Sequence, residues 1–256
     1  MNKKAILVVS FGTTYLDTLK KNIENLENKI AEKYKDYKVY RAFTSKIVMK
    51  RLADRGINIL DTKEALEKIL NDGFDEVVIC PTHIMSGFEY DKICSLAKPF
   101  EAKFKRMVIS KELLCSVEDI EYFVDNMIKE YPLNEDEAMI FVGHGTEHRA
   151  NMVYSAVNYM FYHKGYPQYM VSTVEGFPNF QDSFADLDRQ LKKKVKIAPL
   201  LLVAGDHANN DIAGDEEDSL KSQLKAKGYE VIPYVKGLGE YDFIIKLYLK
   251  HLAEII

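Results

Sequence analysis

The chain has 256 residues, 47% of them hydrophobic and 29% charged, a balance that fits one or two globular domains and excludes disordered and collagen-like chains. With 35 Lys and Arg against 39 Asp and Glu, the net charge is -4, which argues against a nucleic-acid partner, and no apolar run approaches the roughly 20 residues of a membrane span. Three cysteines (Cys80, Cys94 and Cys115), odd in number and without C-x-x-C spacing, fit a reducing compartment better than a disulfide framework or a zinc ribbon.

Lys3 and Lys4 precede the apolar run Ala5-Ile6-Leu7-Val8-Val9, but Gly12-Thr13-Thr14 soon follows and no small-residue cleavage site is present. The expectation is a buried first strand over 5–10 in a cytoplasmic protein. Leu16, Leu19, Ile23, Leu26 and Ile30 then recur at helical spacing. Strands are predicted at 39–43, 76–80 and 107–110, with helices at 47–52 and 62–70, the latter closed by Gly73. Ser116 is a predicted N-cap of the next helix. The second half repeats this grammar, with strands at 138–142, 169–174, 195–203 and 229–235. Helices are predicted near 150–163, 180–193, 216–227 and 241–255.

Alternating strands and helices predict an α/β fold of two similar lobes, 1–115 and 116–256, each a four-stranded parallel sheet flanked by helices. A weak internal repeat supports this: Ser10-Phe11-Gly12-Thr13 matches Gly143-His144-Gly145-Thr146. Likewise Pro81 and Gly87 match Pro199 and Gly205, a register that sets His207 opposite Glu89.

Ligands of open parallel sheets bind at the carboxyl ends of the strands. His144, Glu175 and His207 fall there in the second half, and two imidazoles with a carboxylate suit a divalent metal. A single strand-end histidine is more often a hydrogen-bonded turn residue; three such groups beside glycines favour a metal site. His148, four residues after His144, is expected at the rim or as a cap, because Gly145 and Thr146 suggest a turn. No phosphate-loop motif accompanies the glycines, and Ser10 lacks a nucleophile-elbow context. Tyr154, Tyr159, Phe161 and Tyr162 read mostly as core, although some could line a flat-ligand cleft, and Asp215-Glu216-Glu217-Asp218 reads as the acidic first turn of a helix.

Val8-Val9-Ser10-Phe11-Gly12-Thr13, Arg41-Ala42-Phe43-Thr44-Ser45, Gly143-His144-Gly145, Val174-Glu175 and the stretch from Leu202 through Gly205-Asp206-His207-Ala208 to Asp211 resemble the anaerobic sirohydrochlorin cobaltochelatase family. The likeness runs through Gly237-Leu238-Gly239-Glu240. It implies a class II chelatase fold with a tetrapyrrole cleft between the lobes, and His144, Glu175 and His207 as metal residues. Glu89 resembles the family's further acidic residue.

On that reading the partners are sirohydrochlorin and Co2+, the metal being a substrate rather than a permanent cofactor. His144 and His207 would hold the ion, Glu175 would be third ligand or proton acceptor, and Glu89 would serve proton removal or metal entry, or simply be a solvated glutamate at a helix start. Lys46, Lys50 and Arg51 are candidates for the substrate's carboxylates, or simply a solvated helix face. No ATP motif is present. The alternatives are a chelatase for Ni2+ or Fe2+, since this donor set discriminates poorly among first-row ions, and a non-catalytic tetrapyrrole or metal carrier.

Overall fold

The computed structural model describes residues 3–256. The first lobe starts with β1 (Lys4–Ser10), a run buried on both faces as a central parallel strand must be. Next come α1 (Leu16–Thr18), a π-helical stretch at Leu19–Glu24 and α2 (Asn25–Lys33). Leu19, Ile23, Leu26 and Ile30 are buried as their spacing predicts, whereas Leu16 is exposed. β2 (Tyr37–Phe43), α3 (Lys46–Ala53) and α4 (Thr62–Asn71) follow. A capping box between Asp61 and Glu64 starts α4.

β3 (Glu76–Pro81) leads into α5 (Phe88–Ala97), which puts Glu89 at a helix start as one reading expected, though no span was predicted for that helix, and then β4 (Arg106–Ile109). Only Ile93 and Ala97 of α5 are buried, too thin a stripe to read as helical period. The sheet order is β2-β1-β3-β4, all parallel, with Ala5, Leu7 and Val9 packed against Ala65, Leu66 and Ile69 of α4.

The second lobe begins at α6 (Val117–Glu130), where Ser116 Oγ accepts the Asp119 N–H at 3.1 Å as the expected cap. It continues with β5 (Glu137–Gly143), α7 (Met152–His163), β6 (Tyr169–Thr173), α8 (Phe180–Gln190), β7 (Lys194–Pro199), α9 (Leu220–Ala226) and β8 (Glu230–Pro233). Its sheet order is β6-β5-β7-β8, again parallel, the same topology as the first.

Three expectations are corrected here. β7 ends at Pro199, so 200–203 is loop rather than strand; the Leu200 N–H turns to the Val142 carbonyl at 2.7 Å. Asp215 to Asp218 precede α9 rather than open it, because Ser219 caps that helix by accepting the Ser222 N–H at 3.1 Å. Finally, α10 (Asp242–Ala253) does not belong to the second lobe. The chain divides into one compact unit that runs to Cys115 and takes in Gly239–Ile256, and a second, Ser116–Leu238. Tyr248 of α10 is fully buried and its hydroxyl donates to the Thr82 carbonyl at 2.7 Å, while Gly239 lies so close to Asn22 that a Cβ would sit 2.8 Å from its Cα.

Candidate functional site

In the second lobe the strand ends carry the polar residues of interest. β5 delivers His144 between two glycines, each required by a close approach. A Cβ on Gly143 would fall 2.1 Å from the Tyr154 ring, and one on Gly145 (φ +85°) would fall 1.5 Å from the Glu175 carbonyl oxygen. Tyr154 is buried and its hydroxyl oxygen accepts the Gly145 N–H at 3.4 Å; burial keeps this phenol neutral by raising its pKa.

The loop after β6 docks on the same strand, with Val174 N–H donating to Gly143 O at 3.1 Å and Glu175 N–H to His144 O at 2.7 Å. Asn151 staples the two loops: its Oδ1 accepts the Thr146 N–H at 3.0 Å and its Nδ2 donates to Phe177 O at 2.6 Å. After β7, residues 200–206 lead to His207, which opens a π-helical turn at Ala208–Ile212.

The structure brings His144 and His207 together, edge to face, with ring centroids 4.5 Å apart. His144 Nδ1 lies 3.0 Å from the Gly145 carbonyl oxygen, and His207 Nδ1 lies 2.6 Å from Asp211 Oδ2. Both partners are acceptors, so Nδ1 carries the proton in each ring and Nε2 keeps its lone pair. Two half-buried imidazoles with free Nε2 atoms are donors for one divalent ion of intermediate softness.

Glu175 joins them through its backbone only. Its side chain is exposed, and the three residues do not gather ligand atoms within 4.8 Å of one another. A divalent ion held by the two imidazoles would keep open positions for water or a further ligand.

Glu89 lies in the first lobe, in the first turn of α5, ion-paired with Lys92 at 3.5 Å; Lys92 Nζ also donates to Thr44 O at 2.7 Å. Lys46, Lys50 and Arg51 are exposed on α3. His148 caps the short helical turn Arg149–Asn151, its Nδ1 accepting the Ala150 N–H at 3.1 Å. Tyr154 and Phe161 are core, whereas Tyr159 and Tyr162 are exposed, so half of the group departs from the core reading. Ser10 is buried and bonded to Thr82 Oγ1 at 2.9 Å, a structural role.

Two residues escaped the sequence reading. Asp211 stands four residues after His207, a spacing that one helical turn converts into contact. His83 follows β3 with both ring nitrogens buried and unbonded; burial brings its pKa down to about 4, against the pull of Glu89 and with the push of Lys92. Nothing in its sequence neighbourhood announces that environment.

The family model for cobalt chelatase (CbiK) matches residues 4–256. The chain belongs to that family. The sirohydrochlorin cobaltochelatase of Salmonella typhimurium strain LT2 is 36% identical over 254 residues, 98% of this chain and 96% of that protein. The sirohydrochlorin cobaltochelatase CbiKC of Nitratidesulfovibrio vulgaris strain Hildenborough is 28% identical over 260 residues, 100% of this chain and 92% of its own. Among solved structures, SirB from Bacillus subtilis with Fe3+ matches with a TM-score of 0.64 at 15% identity, covering 98% of this chain and 95% of that one. That last likeness is one of fold, and it bears out the chelatase architecture of two four-stranded parallel sheets.

Proposed function

We propose that this protein is a sirohydrochlorin cobaltochelatase, inserting Co2+ into sirohydrochlorin on the anaerobic route to cobalamin. The observation that carries the reading is the pair His144 and His207, each with Nδ1 occupied and Nε2 free. Membership of the cobalt chelatase family and the 36% identical relative support it.

Insertion exchanges one Co2+ for two pyrrole protons, with no change of oxidation state. The chemistry therefore calls for no permanent redox cofactor, and the lack of an ATP motif in the sequence supports insertion without nucleotide. Neutral imidazoles hold the ion strongly enough to take it from water and weakly enough to yield it to four ring nitrogens. Glu175 serves as third ligand or proton acceptor, its exposed carboxylate able to carry protons away to water. Glu89 serves proton removal or metal entry. Lys46, Lys50 and Arg51 are the candidate partners of the substrate's carboxylates. The reaction belongs in the cytoplasm, where the three cysteines, none of them in a disulfide, would stay reduced. No helix among the described residues is long and apolar enough to cross a membrane.

The deciding experiment mixes the protein with sirohydrochlorin and Co2+ and follows the absorbance spectrum against a protein-free control. The cobalt complex should form faster with protein, and His207→Ala should fall to the control rate. Tetrapyrrole binding without accelerated insertion would instead establish a carrier.

A further inference from the structure

The loop from Gly205 to Gly214 holds its shape without Asp211. Asn209 Nδ2 donates to the Gly205 carbonyl at 2.7 Å, and Asn210 Nδ2 donates to Asp206 Oδ1 at 3.1 Å. The π-helical closure runs from Ala213 N–H to Ala208 O at 3.1 Å, and Gly214 packs so tightly that a Cβ would lie 2.2 Å from Asn210 O. Asp211 takes no part in this bracing; its Oδ2 is directed at His207 Nδ1, 2.6 Å away.

From this geometry we infer that Asp211 is a positioning residue for metal handling: its carboxylate fixes the His207 ring and its tautomer so that Nε2 is the donor offered to Co2+. The inference rests on the metal role proposed above for His207. An unbraced imidazole is free to turn about its side-chain torsions and to carry its proton on either nitrogen, so only part of its population offers a lone pair at any one place. A short, charge-assisted bond to Nδ1–H removes both freedoms and pushes electron density toward Nε2. His144 is braced more weakly, by the neutral carbonyl of its own neighbour at 3.0 Å. The two donors are therefore unequal, with His207 the firmer.

The test uses the full chain without tetrapyrrole. Calorimetric titration with Co2+ should show Asp211→Ala binding about 10- to 100-fold more weakly than wild type, the usual cost of losing the partner behind a metal-bound histidine. Asp211→Asn keeps the shape and an oxygen able to accept from Nδ1–H but drops the charge, so its affinity should fall between the two. Nitrogen NMR of the metal-free protein supplies a readout that a purely structural role would not move. His207 should carry its proton on Nδ1 in wild type and Asp211→Asn, and should populate both tautomers in Asp211→Ala.

If His207→Ala binds Co2+ like wild type, the metal site itself is misassigned, whatever Asp211 does. If His207→Ala weakens binding while both Asp211 variants match wild type in affinity and tautomer, the positioning role is overturned. Should Asp211→Ala fail to fold, Asp211→Asn decides: a several-fold loss of affinity upholds the role, and wild-type affinity removes it.

Discussion

The two lobes share one backbone plan at the ends of their strands and fill it with different side chains. In the first, Thr44 and Ser45 N–H donate to Ser10 O and Phe11 O at 2.9 and 3.2 Å; in the second, Val174 and Glu175 do the same to Gly143 O and His144 O at 3.1 and 2.7 Å. Thr82 N–H reaches Val9 O at 2.9 Å, as Leu200 N–H reaches Val142 O at 2.7 Å. Superposing these bonds sets Phe11 against His144 and Ser45 against Glu175, while the strand-end prolines set Glu89 against His207. The backbone thus offers a similar platform twice, and at these three pairs of positions only the second copy carries imidazoles. Where the second lobe seats the Tyr154 ring against Gly143, the first has the buried bond between Ser10 and Thr82.

The largest expected effect falls on that contrast. His144→Ala and His207→Ala should each reduce Co2+ insertion by about 100-fold or more with the fold retained, because strand-end loop residues contribute little to the core. Phe11→Ala, at the corresponding place in the first lobe, should leave Co2+ affinity of the tetrapyrrole-free protein unchanged. Equal losses in both lobes would mean that the imidazoles are not what distinguishes the second.

Glycine is required at Gly12 (φ +98°) and Gly145 (φ +85°) alike, but what each added Cβ meets is different. A Cβ at 12 would strike the Phe43 ring at 2.4 Å, and one at 145 the Glu175 carbonyl at 1.5 Å. Each alanine should cost about 2 kcal/mol or more in urea unfolding, from a left-handed backbone combined with a clash. Only Gly145→Ala should also lose Co2+ binding, since it displaces the two loops that carry His144 and Glu175.

A pH experiment reaches the third pair of positions. His83 and Leu201 each lie two residues beyond a strand-end proline, and each carbonyl accepts a loop N–H, from Leu113 and Leu238 respectively, at 2.9 Å. The His83 imidazole, held near 4 by burial, stays neutral in the folded chain while the unfolded chain takes up a proton near the ordinary histidine value of about 6.5. The unfolded state therefore binds more protons between these values, and stability falls as pH drops through that window. From pH 7 to pH 5 the loss from this residue should be about 1 to 2 kcal/mol. His83→Leu, which copies the second lobe, should flatten that part of the pH profile; an unchanged slope would assign it to other groups.

Much of this was legible in the sequence, for reasons that particular residues make plain. The run from Ala5 to Val9 reads as a strand because both its faces are buried. His144 and His207 were legible as a pair because strand ends of one parallel sheet converge. The apolar residues Leu200 to Val203 read as strand, yet the ladder had already ended at Pro199. Helix α5 hid because it buries so little, and the return of α10 to the first lobe is a tertiary choice that local period does not encode. Asp211 went unread because its spacing from His207 takes on meaning only when the helical turn brings its Oδ2 within 2.6 Å of His207 Nδ1.

The smallest effect concerns the bond that stands in the first lobe where the second has none. Thr82 Oγ1 donates to Ser10 Oγ at 2.9 Å, and both residues are about 98% or more buried, with exposures of 2% and 1%. The corresponding residues Gly143 and Leu200 have no hydroxyl, so this pair has no counterpart at the candidate metal site. Thr82→Val keeps the shape but leaves a buried serine hydroxyl unpaired, which should cost about 1 to 2 kcal/mol. Removing both hydroxyls, as Ser10→Ala with Thr82→Val, should cost less than the single changes predict when added, because no orphaned group remains. Co2+ affinity of the tetrapyrrole-free protein should be the same in all three variants. Strict additivity would show that the bond contributes nothing of its own, whereas altered Co2+ affinity would give the first lobe a part in holding the metal that its side chains do not suggest.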